Sequence, residues 1–197
     1  MTYAATCIVA YLLGSIPVSL LVARGHGVDL RRTADGNPGA WNALGQLGPG
    51  RAWPAFAGDA FKGTAAGLLG IAAGGVWMGY VAVGAAMLGH AFPLFARLRG
   101  GKSVMTFTGG MLAVAPLAAV ISIAVCAAVA LAARSFAWGA RAGIFGFPAA
   151  QLALDPGAPE RVAATGALMC LIGVRFLTGG RARSGAGARA HAREQVG

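Results

Sequence analysis

Long apolar blocks without Asp, Glu, Lys or Arg alternate along the chain with short basic segments. The blocks span residues 1–23, 63–96 and 103–133. A helix rises 1.5 Å per residue, so about 20 apolar residues cross the hydrocarbon core of a bilayer. The alternation therefore predicts a membrane protein built from hydrophobic helices, with its charged residues in the connecting segments.

Glycine and proline divide these blocks further. The second block is too long for one crossing and carries Gly74-Gly75 near its middle, which fits two short helices of roughly 17 residues each. The third block carries Pro116 near its centre and fits either one long tilted helix or two short ones. Two shorter apolar runs follow, 142–154 and 162–174, and the turn between them contains the sequence Asp-Pro-Gly-Ala-Pro-Glu.

The basic residues fall into four groups, and the positive-inside rule places all four on the cytoplasmic side. The groups are Arg24, Arg31, Arg32 and Arg51, then Arg97, Arg99 and Lys102, then Arg134 and Arg141, and finally Arg181, Arg183, Arg189 and Arg193. One crossing and three hairpins satisfy this arrangement, giving about seven short transmembrane helices with the N-terminus outside and the C-terminus cytoplasmic. Because several segments are short, five crossings are the alternative. We predict an all-α polytopic membrane domain over residues 1–180 and a basic, disordered cytoplasmic tail over residues 181–197.

Composition agrees with the membrane class. The chain is 57% hydrophobic and 11% charged, with a mean hydropathy of +0.67, whereas a soluble domain carries about 25% charged residues. A formal net charge of +10 suits nucleic acid in a soluble protein, but here the basic residues lie between apolar blocks, so no nucleic-acid partner is expected. The three cysteines lie in apolar segments without metal-ligand spacing, and neither a metal nor a cofactor is predicted.

Segment 29–42 is the first candidate for chemistry. Asn37 and Gly39 flank a proline, so the backbone turns tightly and leaves amide groups unpaired, while Arg31 and Arg32 lie a few residues away. Exposed backbone N–H groups beside arginine bind anions. An ordinary cytoplasmic loop with turn residues and topogenic arginines has the same composition, and both interpretations stay open on spacing alone.

Two polar motifs interrupt the apolar helices. Gly14-Ser-Ile-Pro17 lies inside the first apolar block, where proline breaks a helix; taken alone, this motif is more typical of a packing kink than of a site. Asp59 and Lys62 precede the second block at a spacing of three, which places them on one helical face. A surface ion pair of small value is the alternative, but ionisable residues beside a membrane segment more often face a polar cavity than lipid.

The segment from His90 to Lys102 ends an apolar block in a cationic, glycine-rich loop. Gly100 and Gly101 remove side-chain obstruction, so that backbone N–H groups can approach a phosphate, and Lys102 supplies a mobile charge. A helix that begins near Ser103 adds the attraction of its N-terminus for anions. His90 alone is more typical of a hydrogen-bonded packing residue than of a functional one.

Taken together, these segments resemble the bacterial membrane acyl-phosphate:glycerol-3-phosphate acyltransferases, over about residues 11–175. The matching motifs, in the family's order, are Leu13-Gly-Ser-Ile-Pro17, Gly36-Asn37-x-Gly39-Ala40-x-Asn42, Asp59-x-x-Lys62-Gly63, Leu88-Gly-His-x-Phe92 and Arg99-Gly-Gly-Lys102. The resemblance implies transfer of a fatty acyl group from acyl phosphate to the 1-position of glycerol 3-phosphate, giving lysophosphatidic acid in phospholipid synthesis. It also implies about seven helices in the bacterial inner (cell) membrane, a cytoplasm-facing site in contact with membrane lipids, and no cofactor.

Carried over position by position, the resemblance implies a pocket that holds two phosphate groups side by side. The implied catalytic residues are Lys102, His90, Asp59 and Lys62. The implied phosphate-binding residues are Arg31, Arg32, Asn37, Gly39, Asn42, Gly100, Gly101 and Ser103. Because acyl phosphate has a good leaving group, positioning and cationic stabilisation supply much of the rate in such a site.

The chain departs from the family's pattern at five positions. Asp35 stands where serine is usual, Trp41 where threonine is usual and Ser103 where glycine is usual; Phe176 and Gly179 stand where a late Arg-His-x-x-Asn cluster has its histidine and asparagine. A catalytically degenerate relative that binds a phospholipid or acyl phosphate in a regulatory or scaffolding role is therefore the alternative function. A small transporter is a weaker alternative, because few ionisable residues lie within the apolar segments.

Overall fold

The computed structural model describes residues 2–194, and their side chains as far as residue 178. Within this range the chain forms eight α-helices and two short 3₁₀ turns, and no strand. The helices are α1 (Tyr3–Ser15), α2 (Val18–Gly25), α3 (Ala40–Leu47), α4 (Pro49–Ala91), α5 (Val104–Val114), α6 (Pro116–Ala132), α7 (Phe136–Leu154) and α8 (Pro159–Glu194); the 3₁₀ turns are Leu30–Arg32 and Leu94–Ala96.

The first apolar block is a helix broken at Pro17. α1 ends at Ser15, Ile16 is extended, and α2 resumes at Val18. Proline has no N–H to continue the helical ladder, so the break exposes main-chain carbonyls inside the bundle. The carbonyl of Ile16 accepts a hydrogen bond from Nζ of Lys62 at 3.0 Å. The kink predicted from the Gly-Ser-Ile-Pro motif is therefore confirmed, and it brings a polar backbone group to a buried lysine.

The second apolar block forms two antiparallel helices, as predicted, that meet at Gly74-Gly75. Gly74 and Gly75 leave the helical conformation inside α4, and Gly75 has a φ of +75°, which favours glycine. The two halves pack closely, because a Cβ on Gly70 would lie 2.7 Å from the Cβ of Ala82 and 2.8 Å from Cα of Gly79. The turn of this hairpin lies beside Tyr3 at the start of α1.

The third apolar block forms two short helices, α5 and α6, separated at Ala115 by Pro116. The third basic group needs a correction, because Arg141 lies inside α7 and not in a loop. Arginine is a good helix former, and its guanidinium carbon lies 5.0 Å from the ring centre of Trp138, one turn earlier on the same helix. Arg134 does lie in the connection between α6 and α7.

Glycines bring α4 into close contact with α1 and α5. At four positions a Cβ would enter the neighbouring backbone: Gly14 faces Ala86, Gly89 faces Tyr11, Gly63 faces Thr106 and Gly109 faces Ala60. In lipid, where apolar surface gains nothing from helix association, such close backbone packing is a main source of attraction between helices. The three helices therefore form the rigid centre of the fold.

A buried polar network attaches α7 and α8 to this centre. Nε2 of Gln151 donates to the hydroxyl of Tyr80 at 2.7 Å, and the hydroxyl of Thr165 donates to Oε1 of Gln151 at 2.7 Å. The rings of Phe107 and Phe147 pack edge to face with centres 5.7 Å apart. Side-chain hydrogen bonds of this kind act between membrane helices, so α8 is held although little of it is buried.

Three helical segments are long and apolar enough to cross a membrane, namely Tyr3–Gly25, Pro49–Ala96 and Pro159–Thr178, and two shorter apolar helices, α5 and α6, accompany them. The predicted all-α membrane fold is confirmed, whereas the number of crossings and the orientation of the termini stay predictions. The predicted disordered tail covers residues 181–197. The side chains of this segment, and residues 195–197 entirely, lie outside what the structure describes, so the tail stays a prediction too.

Candidate active site

A narrow cleft, with a cavity volume of about 10 Å³, lies where the first helix is broken. Ile16 and Pro17 form one side of it, the acidic and basic side chains of α4 form its floor, and Gly100 and Gly101 form the opposite side. The break, the two halves of α4 and the loop after His90 thus meet at one place. All five sequence motifs contribute residues to this cleft, including Pro38 from the motif at 36–42.

Asp59 is the centre of the cleft floor. Its side chain is 2% exposed, and Oδ2 accepts a hydrogen bond of 2.7 Å from the hydroxyl of Ser19. Oδ1 lies 2.8 Å from Nζ of Lys62 and 3.5 Å from Nδ1 of His90. Removing a carboxylate from water is costly unless charges and donors surround it, and this carboxylate has three such neighbours. The predicted Asp59–Lys62 pair therefore exists and is buried.

His90 connects this floor to the glycine loop. Its Nδ1 faces Asp59, while Nε2 lies against Gly101, where a Cβ would collide with the imidazole. The N–H groups of Gly100 and Gly101 donate to the carbonyls of Ala91 and His90 at 3.2 and 3.1 Å. These amides are therefore already bonded, contrary to the expectation that they approach a phosphate. Glycine is needed here because the loop packs directly on His90.

Two arginines hold the loop 92–103 by its carbonyl oxygens. Arg175 of α8 donates to the carbonyls of Gly100 and Gly101 at 3.0 and 3.2 Å, and its guanidinium carbon lies 4.9 Å from the ring centre of Phe92. Arg31 donates to the carbonyl of Ala96 at 2.6 Å. Burial, followed by the charge of a neighbouring arginine, lowers the pKa of Arg31 below its usual range.

Lys102 lies between a carboxylate and an aromatic ring. Its Nζ is 3.2 Å from Oδ2 of Asp35 and 4.3 Å from the ring centre of Phe176. Asp35 and Phe176 are two of the five positions at which the sequence departs from the motif pattern of the family that it resembles. The negative charge of Asp35 is thus paired with the lysine that directly follows the glycine wall of the cleft.

The loop 29–42 is organised by Asn42, whose side chain is buried. Its Nδ2 lies within hydrogen-bonding distance of the carbonyls of Leu30, Asn37 and Thr33, at 2.9, 3.0 and 3.3 Å. An amide group that holds three carbonyls of its own loop has little capacity left for a ligand. Ser103 is likewise committed, because its buried hydroxyl donates to the carbonyl of Met87 at 2.8 Å.

The structure brings together part of the predicted set. Asp59, Lys62, His90, Gly100 and Gly101 line the cleft; Lys102 and Arg31 adjoin it through the loops; Asn37, Gly39, Asn42 and Ser103 shape those loops; and Arg32 is exposed. The sequence interpretation missed three residues. Ser19 and Arg99 line the cleft, and Arg175 holds its glycine wall. Arg175 carried a signal, because it is the one basic residue in the apolar segment 162–180.

Comparison with known proteins identifies the kind of protein to which this cleft belongs. The family model described as glycerol-3-phosphate acyltransferase matches residues 4–179. The chain belongs to the glycerol-3-phosphate acyltransferase family. A glycerol-3-phosphate acyltransferase of Thermus thermophilus is 42% identical over 169 residues, covering 85% of this chain and 83% of the relative. One of Rubrobacter xylanophilus is 41% identical over 128 residues, which is 64% of each chain.

The same family supplies solved structures with this fold. A crystal structure of PlsY, an integral membrane glycerol 3-phosphate acyltransferase in its glycerol 3-phosphate form, matches with a TM-score of 0.76 and 30% identity, covering 90% of this chain and 93% of that one. The lysophosphatidic acid form of PlsY matches with a TM-score of 0.72 and 28% identity. This chain therefore shares its helical arrangement with PlsY over 90% of its length.

Proposed function

We propose that this protein transfers a fatty acyl group from acyl phosphate to the 1-position of glycerol 3-phosphate, giving lysophosphatidic acid. Family membership over residues 4–179 supports the reaction. The observation that supports a particular site is that Asp59, Lys62, His90 and the Gly100-Gly101 loop all line one cleft. The membrane fold supports a location in the bacterial inner membrane, beside the lipids that receive the product.

The reaction needs little covalent help from the protein. The 1-hydroxyl oxygen of glycerol 3-phosphate attacks the acyl carbonyl, a new ester C–O bond forms, and the C–O bond to phosphate breaks. Inorganic phosphate leaves with the electron pair of that bond, and the hydroxyl proton, accepted first by a base in the site, passes to the leaving group, which departs as hydrogen phosphate. The protein therefore has to align two phosphorylated molecules and supply a proton acceptor, so positioning and cation placement are its main contributions.

His90 is the residue that we assign as the proton acceptor. The Asp59 carboxylate lies 3.5 Å from Nδ1, which favours a proton on that nitrogen and leaves Nε2 as the acceptor. Nε2 is packed against Gly101, so the proposal requires the glycine loop to shift when the substrate binds. Ser19 and Lys62 hold the carboxylate from its other sides. Asp59 is then a positioning residue, and Lys62 serves both to balance its charge and to anchor the helix break at Ile16.

The cations beside the cleft are assigned to the phosphate groups. Arg99 lines the cleft, and Lys102 follows directly after its glycine wall. The first turn of α5 begins immediately after Lys102, and its N-terminal end attracts anions. Arg31 and Arg175 act indirectly, since their donors hold loop carbonyls. This assignment gives two cationic side chains to the phosphate groups, Arg99 and Lys102, of which Lys102 is paired with Asp35 in this structure, and two arginines that shape the wall.

The test is product formation by the purified protein in lipid nanodiscs, supplied with acyl phosphate and labelled glycerol 3-phosphate. We expect labelled lysophosphatidic acid from the wild type, and a fall in kcat of about 100-fold or more in His90→Gln, the loss typical of a missing general base. Asp155→Asn is the matched control, because this carboxylate pairs with Arg161 at the turn between α7 and α8. Its kcat should equal that of the wild type.

Two results would contradict this proposal. The wild type forming no lysophosphatidic acid would favour the binding or scaffolding alternative for this chain. Full activity in His90→Gln would keep the reaction but remove His90 from it. Both readouts require comparable melting temperatures among the variants, measured on the same nanodisc preparations.

A further inference from the structure

The ammonium group of Lys102 already has a counter-ion. Nζ lies 3.2 Å from Oδ2 of Asp35, and the ring centre of Phe176 lies 4.3 Å away on another side. The Lys102 and Asp35 side chains are 23% and 39% exposed, so the pair can be reached by a solute, and Lys102 directly follows Gly101, which lines the cleft. A carboxylate and an aromatic face both stabilise an ammonium ion.

The position of Asp35 is set by its own loop. Its Oδ1 accepts a hydrogen bond of 3.2 Å from the N–H of Asn37, which is the pattern of an Asx turn. Gly36, between them, has a φ of +63° that permits this turn. One carboxylate oxygen is therefore used to close the turn, and the other is presented to Lys102.

The position of Lys102 is also fixed by the backbone that precedes it. Gly101 is bonded to His90 by its N–H and to Arg175 by its carbonyl, so the backbone that carries Lys102 has little freedom. Two fixed loops thus bring a carboxylate and an ammonium group together next to the proposed phosphate site. A phosphate group that binds Lys102 must therefore displace this carboxylate or share the ammonium group with it.

We propose that Asp35 is a specificity-determining residue, an internal anion that competes with the substrate phosphate for Lys102. This inference rests on the proposed function, since it takes the phosphate-bearing substrate from there. Phosphate replaces the carboxylate as the counter-ion of Lys102, and Asp35 stays nearby because its turn holds it. The like charges then oppose each other, which weakens ground-state binding of phosphate. The competition acts on binding, so it raises KM and leaves kcat nearly unchanged.

Asp35→Asn is the decisive variant, because its side-chain oxygen still closes the turn while its negative charge is gone. Two quantities are measured: the KM for glycerol 3-phosphate in the acyltransferase assay, and the Kd for inorganic phosphate by calorimetry on the purified protein. We expect both to fall about two- to fivefold, in line with the loss of a partly exposed competing charge, and kcat to change less than about twofold. Asp155→Asn, which removes a carboxylate paired with Arg161 elsewhere, should change neither quantity.

Asp35→Glu separates charge from loop geometry. Glutamate keeps the charge, so its Kd for phosphate should not fall below the wild-type value. A fall in Asp35→Glu equal to that in Asp35→Asn would show that loosening of the loop is responsible, and would overturn the inference. An unchanged or weaker phosphate affinity in Asp35→Asn would overturn it too.

The calorimetric readout does not depend on catalysis. A wild type that forms no lysophosphatidic acid contradicts the proposed function, while the comparison of phosphate Kd values still decides the role of Asp35. If neither the wild type nor Asp35→Asn binds phosphate, the inference is overturned. Asp35→Ser, whose hydroxyl can also close the turn, replaces Asp35→Asn if the latter does not fold.

Discussion

Arg175 shows how a single side chain can shape a site from a distant helix. Its two donor groups bind the carbonyls of adjacent glycines, and the ring of Phe92 lies against its guanidinium. A planar fork suits two neighbouring acceptors, whereas an ammonium group is a single point charge. The role of Arg175 is therefore geometric as well as electrostatic, and a conservative replacement tests the difference.

We expect Arg175→Lys to lower kcat/KM at least about tenfold, because the loss of one hydrogen bond from a charged donor has an effect of this size. Arg175→Ala should lower it further, because the carbonyls of Gly100 and Gly101 lose their partner entirely. Arg161→Lys is the matched control, since Arg161 pairs with Asp155 at the opposite end of α8 from this loop. Wild-type kcat/KM in Arg175→Lys would contradict the geometric role.

Ser103 is the second informative residue, because its backbone conformation and its side chain have opposite effects on stability. Its φ of +64° lies in the left-handed region that favours glycine, which gives a physical reason for the glycine usual at this position in the family. Its hydroxyl, in compensation, donates to the carbonyl of Met87 at 2.8 Å. The hydrogen bond offsets the unfavourable conformation.

This balance predicts an order of stability for two variants. Ser103→Ala keeps the unfavourable φ and loses the hydrogen bond, so it should lower the free energy of unfolding by about 1 kcal/mol. Ser103→Gly loses the same bond but relieves the backbone, so it should lie close to the wild type. Thermal unfolding in one detergent gives the order; Ser103→Ala more stable than Ser103→Gly would be the opposite result.

At the scale of whole elements, sequence predicted the helix interruptions well because their cause is local. Gly74-Gly75 and Pro17 interrupt helices as expected, and at Pro116, where one long helix or two short ones were left open, the structure has two. The extent of α7 was not predicted, since arginine is equally common in a basic loop and in a helix. Arg141 joins the helix because it packs over Trp138. The hydrogen bond between Ser19 and Asp59 was also not predicted, because it joins residues 40 positions apart.

The glycines between helices give a test at this scale. A Cβ at Gly63 would enter the carbonyl of Thr106 and lie 2.9 Å from the N–H nitrogen of Gly110. We therefore expect Gly63→Ala to separate α4 from α5 and to lower the melting temperature, at a cost of at least about 1–3 kcal/mol typical of overpacking. Size-exclusion profiles and melting temperatures in one detergent report the effect.

Gly166→Ala is the control for this change. Gly166 lies in α8, and nothing lies within 4 Å of the Cβ that it would gain. Alanine is favoured over glycine in a helix by about 1 kcal/mol, so this variant should match or exceed the wild type in stability. Equal losses in both variants would show that glycine is needed for a reason other than close contact.

At the scale of the whole molecule, charge separates the two ends of the bundle. The broken helix, the loops that contain Arg31, Arg99 and Lys102, and the contacts of Arg175 all meet at one end. The hairpin turn at Gly74-Gly75 lies at the other end beside Tyr3, near the start of the chain. Arg161 lies in the first turn of α8, and Asp155 neutralises it. The end that carries the cleft is therefore the basic end.

The positive-inside rule predicts an orientation from this asymmetry, with the cleft facing the cytoplasm and the turn between α7 and α8 outside.

Cysteine labelling tests this orientation, after the free cysteines Cys7, Cys126 and Cys170 are replaced by alanine. Gly25 and Gly157 are exposed, and both have room for a side chain. In whole spheroplasts, a membrane-impermeant maleimide should label Gly157→Cys and leave Gly25→Cys unlabelled. In lysed cells both should react, which controls for accessibility; labelling of Gly25→Cys alone in spheroplasts would invert the topology and place the cleft outside. The substrates of the proposed reaction, glycerol 3-phosphate and acyl phosphate, could then not reach the cleft from the cytoplasm. A reversed orientation would therefore contradict the proposed function as well.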